Sequence, residues 1–367
     1  MKQFTKLSVL ALACLSLAAC EKDETNNPDP VIPGAPTAAQ GIYALTEGQF
    51  YSGIPGGLDV ITFAPAKIEN NVFSRTNGRS IGDTPQCGVA YGSKIYVGTS
   101  ESNTIEILDR FTWKSIMQIR LADITEGGQP YSMVADHGKV FVSLFGGNLA
   151  RLDTLTLSID KVVAVGPNPD HIALYNDKIY VPISDGMNYP NYGRTAVVVN
   201  PKTMAIEKTF DTYLNPREFF VVGGRLFLLC MGDYSAANPS QLFEVDAQYG
   251  LRKICNATIA APYGRNIAII NQPFVQNEED AVLEYKLYDL NSGTLSDWEI
   301  ERPDYANNMH YDAEADRMMI SSYVMNGKYP SYEKPGYVNV YKSQERTPES
   351  KFNLGSAGRV AFFTLTK

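Results

Sequence analysis

The sequence predicts an all-β fold: a seven-bladed β-propeller whose ring is closed by pairing of its N- and C-terminal strands. Three observations carry that expectation. A unit of about 45 residues recurs along the chain, short strand-like runs take the place of amphipathic helices, and the two ends of the chain each supply part of one further unit.

Of the 367 residues, 44% are apolar, 11% aromatic and 20% charged, which excludes disordered, collagen-like and coiled-coil classes. Tyr leads the aromatics with 22, against 16 Phe and 2 Trp, a balance that favours strands. The formal net charge is −8, and becomes −10 once Lys2 and Lys6 leave with the leader described next. An acidic chain with no basic run is a poor binder of nucleic acid. The only histidines are His137, His171 and His310, far apart in sequence, which argues against a multi-histidine metal centre.

Residues 1–19 read as a signal peptide. Lys2 and Lys6 precede an apolar stretch from Leu7 to Ala19 that is too short to span a bilayer. It ends in Leu17-Ala18-Ala19-Cys20, which resembles a bacterial lipoprotein cleavage box. That resemblance implies acylation of Cys20 and a membrane anchor of several lipid chains. The acidic patch Glu21-Lys22-Asp23-Glu24 is similar to the surface-export signal of Bacteroidota lipoproteins, and so implies an outer-membrane lipoprotein facing the cell surface. Pro28, Pro30, Pro33 and Pro36 make residues 20–40 a lipidated cysteine followed by an extended, flexible tether.

Residues 41–367 form the propeller. One unit reads Pro85-Gln-Cys-Gly-Val-Ala-Tyr-Gly-Ser-Lys-Ile-Tyr-Val97. Similar units start at Pro130, Pro169 and Pro216, spaced 45, 39 and 47 residues apart, with looser copies near Gly264 and Ala306. A second marker is an apolar strand ending in Asp or Asn before a turn, at Asp109, Asp153, Asn200, Asp246 and Asp289, spaced 44, 47, 46 and 43. Four strands per period match a propeller blade, which cannot cover its own faces and must stack on its neighbours. The segment from Ser356 to Phe363 matches the first strand of a unit, and Gly41-Ile-Tyr-Ala-Leu45 matches a second strand. Their pairing completes a seventh blade and removes the exposed edges.

Two loop sets then share one face. The residues leading into the innermost strands are Gln86, Tyr131, Asp170, Arg217, Arg265, Asn307 and Ala357, and those that follow include His171, Glu218 and Asn308. Polar residues here either bind a ligand or solvate the channel. The loops joining second and third strands are short at 100–103 and 145–148, but long and aromatic at 47–56, 185–192, 233–239 and 326–335. These long loops carry Tyr51, Tyr189, Tyr192, Tyr234, Tyr329 and Tyr332. Long loops on a stiff scaffold are frequent carriers of function. Tyr and Asn suit a bulky, amide- or hydroxyl-rich ligand or a protein partner.

Several stretches carry a resemblance to a known family: Gly41-Ile-Tyr-Ala-Leu-Thr-Glu-Gly48, Asn77-Gly-Arg-Ser-Ile-Gly-Asp-Thr-Pro-Gln86, Gly166-Pro-Asn-Pro-Asp170 and Asn188-Tyr-Pro-Asn-Tyr192. With the cleavage box they resemble the YncE-like seven-bladed surface lipoproteins of Bacteroidota, over nearly all of residues 41–367. The group includes propellers that capture corrinoids such as vitamin B12 and pass them to a TonB-dependent outer-membrane transporter. The resemblance implies cobalamin or a related corrinoid as ligand and such a transporter as partner; no cofactor is required and no enzymatic activity is expected. The expected ligand-binding set is Tyr51, Gln86, Tyr131, Asp170, Tyr189, Tyr192, Arg217, Tyr234, Arg265, Asn308, Tyr329 and Tyr332. A glycan- or protein-binding module of a surface uptake complex is the alternative.

A propeller hydrolase or lyase is the third reading. The chain has no Gly-x-Ser-x-Gly and no His-Glu-x-x-His, and Arg217 beside Glu218 favours an ion pair over a metal ligand. Trp113 and Trp298 fall in outer-strand regions, away from a channel platform. Cys87, Cys230 and Cys255 remain after Cys14 and Cys20 are set aside. They read as free thiols in apolar runs, with a Cys230–Cys255 bridge left open. A ring without free edges needs no partner for stability, so the free protein is expected to be a monomer.

Overall fold

Seven antiparallel sheets of four strands stand around a central channel in a computed structural model that describes residues 41–273 and 282–365. Cys20, the leader and the tether lie outside the described residues. In blades 2 to 7 the chain steps outward strand by strand, as in blade 2: Pro85–Tyr91, Lys94–Thr99, Thr104–Asp109 and Ser115–Arg120. The other innermost strands are Pro130–Asp136, Ala173–Tyr175, Pro216–Val222, Ile259–Tyr263, Tyr305–Asp312 and Val360–Thr364.

The second and third strands of a blade have a neighbouring blade on each face. They are therefore apolar almost throughout rather than alternating. All of Ile95 to Thr99 and Thr104 to Leu108 is buried, whereas most of Ser115–Arg120 at the rim is exposed. The core accordingly divides into seven apolar clusters among the described residues, one at each blade interface. Tyr43, Leu58 and Phe363 of blade 1 meet Ile95 and Val97 of blade 2 in one, and Ile42 and Ile61 meet Met319 and Val338 of blade 7 in another.

Ring closure takes the expected form. Val360–Thr364 is the innermost strand of blade 1 and pairs with Gly41–Thr46, Val360 opposite Thr46 and Phe363 opposite Tyr43. The two rings stack with centroids 4.8 Å apart. Further bonds tie the ends: Leu365 N donates to Gly41 O at 3.0 Å, and Gly48 N to Ala357 O at 2.9 Å.

The Asp or Asn marker is the turn between third and outermost strands. Asp109 Oδ1 accepts from Phe111 N at 3.1 Å and Thr112 N at 2.8 Å, and Asp153, Asn200 and Asp289 repeat the arrangement. The side chain fixes the turn by imitating backbone. Four residues on, Trp113, Leu157, Met204 and Gly293 take the positive φ that completes it.

Two details differ from the sequence reading. The innermost strand of blade 6 is Ile259–Tyr263, and the stretch after Gly264 is its second strand, Asn266–Asn271. A one-turn helix, Val72–Asn77, caps blade 1, with Val72 and Phe73 buried against the sheet. Cys87, Cys230 and Cys255 are all free, and strand Gln241–Val245 separates the last two.

Candidate functional site

The crossings that enter each innermost strand and the loops joining second to third strands gather at one end of the channel. Short hairpin turns occupy the other end. At the mouth, four innermost strands carry a register shift, between Pro85 and Cys87, Pro130 and Ser132, Pro216 and Glu218, and Ala306 and Asn308. The skipped residues are Gln86, Tyr131, Arg217 and Asn307. In blade 4, Pro169 bridges Ile183 before regular pairing starts at Ala173, which leaves Asp170 to Ile172 in an irregular segment. A bulge re-aims a side chain away from the ladder. In five of the seven blades the chain thus turns one polar residue out of the sheet at the mouth.

Tyr131, Asp170, His171 and Arg217 form one network. Asp170, buried, bonds His171 Nδ1 through Oδ1. Tyr131 stacks on Phe145 at 4.6 Å and meets the His171 ring edge-on at 5.7 Å. His171 is held from both sides by blade 5: its N–H donates to Arg217 O at 2.9 Å, and its C=O accepts from Phe219 N at 3.1 Å. Burial works against the charge of Arg217, but Asp170 first, then Tyr131, Tyr234 and Glu218, outweigh it and hold the guanidinium more firmly protonated than usual. Burial raises the Tyr131 phenol, Asp170 adds to the rise, and Arg217 and Arg359 oppose it. Gln86 Nε2 lies 3.5 Å from Glu47 Oε1, a weak contact, while Gln86 Oε1 and Asn307 Nδ2 have no partner among the described residues.

Above this floor stand two aromatic walls. The loops of blades 4 and 5 join through Tyr189, Tyr192 and Tyr234, with centroids 6.0 Å apart at both steps. The loops of blades 7 and 1 are clasped by Ser52 Oγ donating to Glu333 Oε1 at 2.6 Å. There Tyr323 meets Tyr332 at 5.0 Å, and a cleft of about 230 Å³ opens among Glu47, Phe50, Tyr51, Tyr332 and Arg359. In a seven-blade ring, blades 4 and 5 lie across the channel from blades 7 and 1, so the walls oppose each other. The short loops of blades 2 and 3 leave one side low. Tyr51 is 95% and Tyr189 73% exposed, so apolar ring faces are open to solvent. Burial raises the phenols of Tyr192, Tyr323 and Tyr332, keeping them neutral hydrogen-bond donors. A larger cavity of about 340 Å³, between Ile54, Asn71, Ser80 and Gly355, sits on the flank of blade 1 and contains none of the predicted residues.

The structure therefore gathers Tyr131, Asp170, Arg217 and Tyr234 at the floor and one wall, with Tyr189 and Tyr192 above them, and Tyr51 and Tyr332 across the channel. Gln86 lies at the floor beside Glu47. Tyr329 is on the small hairpin Met325–Asn326 and Tyr329–Pro330 within the blade 7 loop. Two residues fall elsewhere. Arg265 lies in the hairpin between the first two strands of blade 6, at the opposite end, where its C=O accepts from Leu290 N at 3.4 Å. The one-strand slip in that unit moved it, and Thr258 is the residue at the mouth. Asn308 is engaged in packing, donating from Nδ2 to Val360 O at 2.7 Å, and its neighbour Asn307 takes the bulge. Glu47, Phe145, Tyr323 and Arg359 were not picked out from the sequence. For Phe145 and Tyr323 the available signal was their place just after, or at the end of, a second strand.

No family model matches the chain, and no curated protein matches it. Solved structures do. A hypothetical selenium-binding protein from Sulfolobus tokodaii is 10% identical, with 90% of this chain and 94% of that one covered and a TM-score of 0.62. A functionally unknown protein from Desulfotomaculum acetoxidans is 12% identical, covering 87% and 98%, with a TM-score of 0.58. The β-propeller domain of Cps50 (Swd1) from Myceliophteria thermophila is 9% identical, covering 84% and 98%, with a TM-score of 0.55. At such identities the likeness is one of fold, and the fold is a seven-bladed β-propeller.

Proposed function

We propose that this protein is a surface lipoprotein, YncE-like and anchored through Cys20 to the outer membrane. It binds a bulky small-molecule nutrient, cobalamin or a related corrinoid, and passes it to a TonB-dependent transporter without chemical change. The observation that carries the reading is the pair of opposed tyrosine walls over a floor of amide, guanidinium and carboxylate groups. A corrinoid is broad, apolar across its core and rimmed by amides. Tyrosine faces pack against such a core, and the groups of Gln86, Asn307, Arg217 and Asp170 suit its rim. The cleft at Tyr51 and Tyr332 is far smaller than a corrinoid and would take only its edge. Walls mounted on a stiff ring lower the ordering cost of binding, which favours capture of a scarce nutrient. The low side at blades 2 and 3 leaves room for a transporter to approach the bound ligand.

The test is calorimetric titration of the purified protein with cyanocobalamin. Binding is expected, and Tyr192→Ala is expected to weaken it by roughly tenfold, the usual cost of losing one well-packed aromatic contact. Absence of heat and of any absorbance change at micromolar ligand overturns the reading.

A further inference from the structure

We propose that His171 is an axial ligand to the cobalt of a bound corrinoid, so that the protein discriminates between forms of the nutrient by what occupies the upper face of the metal. This deepens the corrinoid reading and rests on it. Three observations place the ligand. His171 Nδ1 is engaged by the Asp170 carboxylate, which can only accept, so Nδ1 carries the proton and the lone pair of the neutral ring is on Nε2. Among the described residues Nε2 has no protein partner, yet it is not shut away as the Nε2 of His310 is, and the His171 side chain is 23% exposed at the mouth. The residue cannot swing freely: its backbone is bonded to Arg217 and Phe219 of the next blade, and its ring edge rests on Tyr131.

An imidazole oriented by a carboxylate on its far nitrogen is the arrangement found at metal sites generally, where the second group fixes the tautomer and raises ligand basicity. The described residues offer no cluster of three metal-binding side chains. A metal that arrives inside its own macrocycle needs no such cluster, because four equatorial positions are already filled. One protein nitrogen suffices. The step is a ligand exchange on cobalt(III): the bound water leaves, the Nε2 lone pair forms the cobalt–nitrogen bond, and no electron or proton moves. His137 lies in a hairpin turn at the other end of the channel and His310 is enclosed, so His171 is the histidine available at the mouth.

The experiment compares aquocobalamin with cyanocobalamin, whose upper position is held by cyanide. With the purified protein, aquocobalamin is expected to take on the absorbance spectrum of its imidazole adduct and to bind more tightly than cyanocobalamin. His171→Gln is expected to abolish the spectral change, and an unchanged circular dichroism spectrum and unfolding midpoint report that the variant is folded. Asp170→Asn, a positioning change, is expected to weaken the aquocobalamin complex by roughly tenfold. If cyanocobalamin binds but the aquocobalamin spectrum stays that of the free compound, His171 is not a ligand and the corrinoid reading survives. A spectral change that persists in His171→Gln equally overturns the proposal. If neither compound binds, both readings fall.

Discussion

At the scale of single residues, enclosure rather than charge pairing sets the behaviour of His310. Its Nε2 is buried without a partner among the described residues, and burial lowers its pKa from 6.5 to about 4, with the charge of Asp312 only partly offsetting this. The unfolded chain therefore binds the proton more readily than the folded one between those values. Its contribution is complete above pH 6.5 and is lost as the pH falls towards 4, by roughly 3 kcal/mol if the whole shift is realised. Denaturant titrations at pH 7 and pH 4.5 should show that loss, and His310→Phe should flatten it; equal losses in both proteins would refute the assignment. The residues at the mouth follow a simpler rule, and much of it was legible. A proline before the bulge marks Gln86, Tyr131, Asp170 and Arg217, and the residue ahead of each proline, Thr84, Gln129, Asn168 or Asn215, takes a positive φ where the chain turns into the strand. Arg359 and Thr258 have no such proline, and nothing in their local sequence announces a bulge or a channel mouth.

Among elements, the turn between third and outermost strands was the most legible feature. Its Asp or Asn is required to complete the backbone turn, so the marker recurs whatever the strands contain. Blade 4 performs the same task with Asn200, bonding Lys202 N and Thr203 N at 3.0 and 3.1 Å, so a side-chain oxygen is needed and a charge is not. In blade 3 the charge has a separate use: Asp153 Oδ2 also accepts from Lys139 Nζ at 2.6 Å. Asp153→Ala is then expected to cost about 1–2 kcal/mol, and Asp153→Asn about half of that, since the amide keeps the turn and loses only the ion pair. Urea denaturation measures both, and an Asn variant as damaged as the Ala variant would contradict the division. Blade 6 departs from the expected register for an opposite reason. Pro262 sits inside its innermost strand, where a proline ordinarily argues against a strand. It is tolerated because that strand is a sheet edge, and Gly264-Arg265-Asn266 then imitates the start of a unit.

Across the whole molecule, the walls oppose each other only because the ring is closed, and closure depends on the last few residues of the chain. Val360–Thr364 supplies the channel-lining strand of blade 1, receives Asn308 of blade 7 and places Phe363 against Tyr43. Asp59 adds a second tie, accepting from Gly355 N at 2.7 Å and Asn71 N at 2.7 Å beneath the crossing into that strand. Ending the chain after Arg359 removes none of blades 2 to 6, and each keeps all four strands. A molecule held together blade by blade would tolerate that loss. A ring would not: Gly41–Thr46 would become an exposed edge of buried residues, the apolar cluster shared with blade 7 would open, and the edge would pair with other chains. The truncated protein is therefore expected to form oligomers in sedimentation velocity and to lose its cooperative unfolding transition, where the intact chain is expected to run as a monomer. Adding a synthetic peptide of residues 358–365 should restore the monomer, because the missing strand binds by the same backbone pairing that it makes in the chain. A truncated monomer that unfolds cooperatively without the peptide would show that the ring is not what holds the two aromatic walls apart.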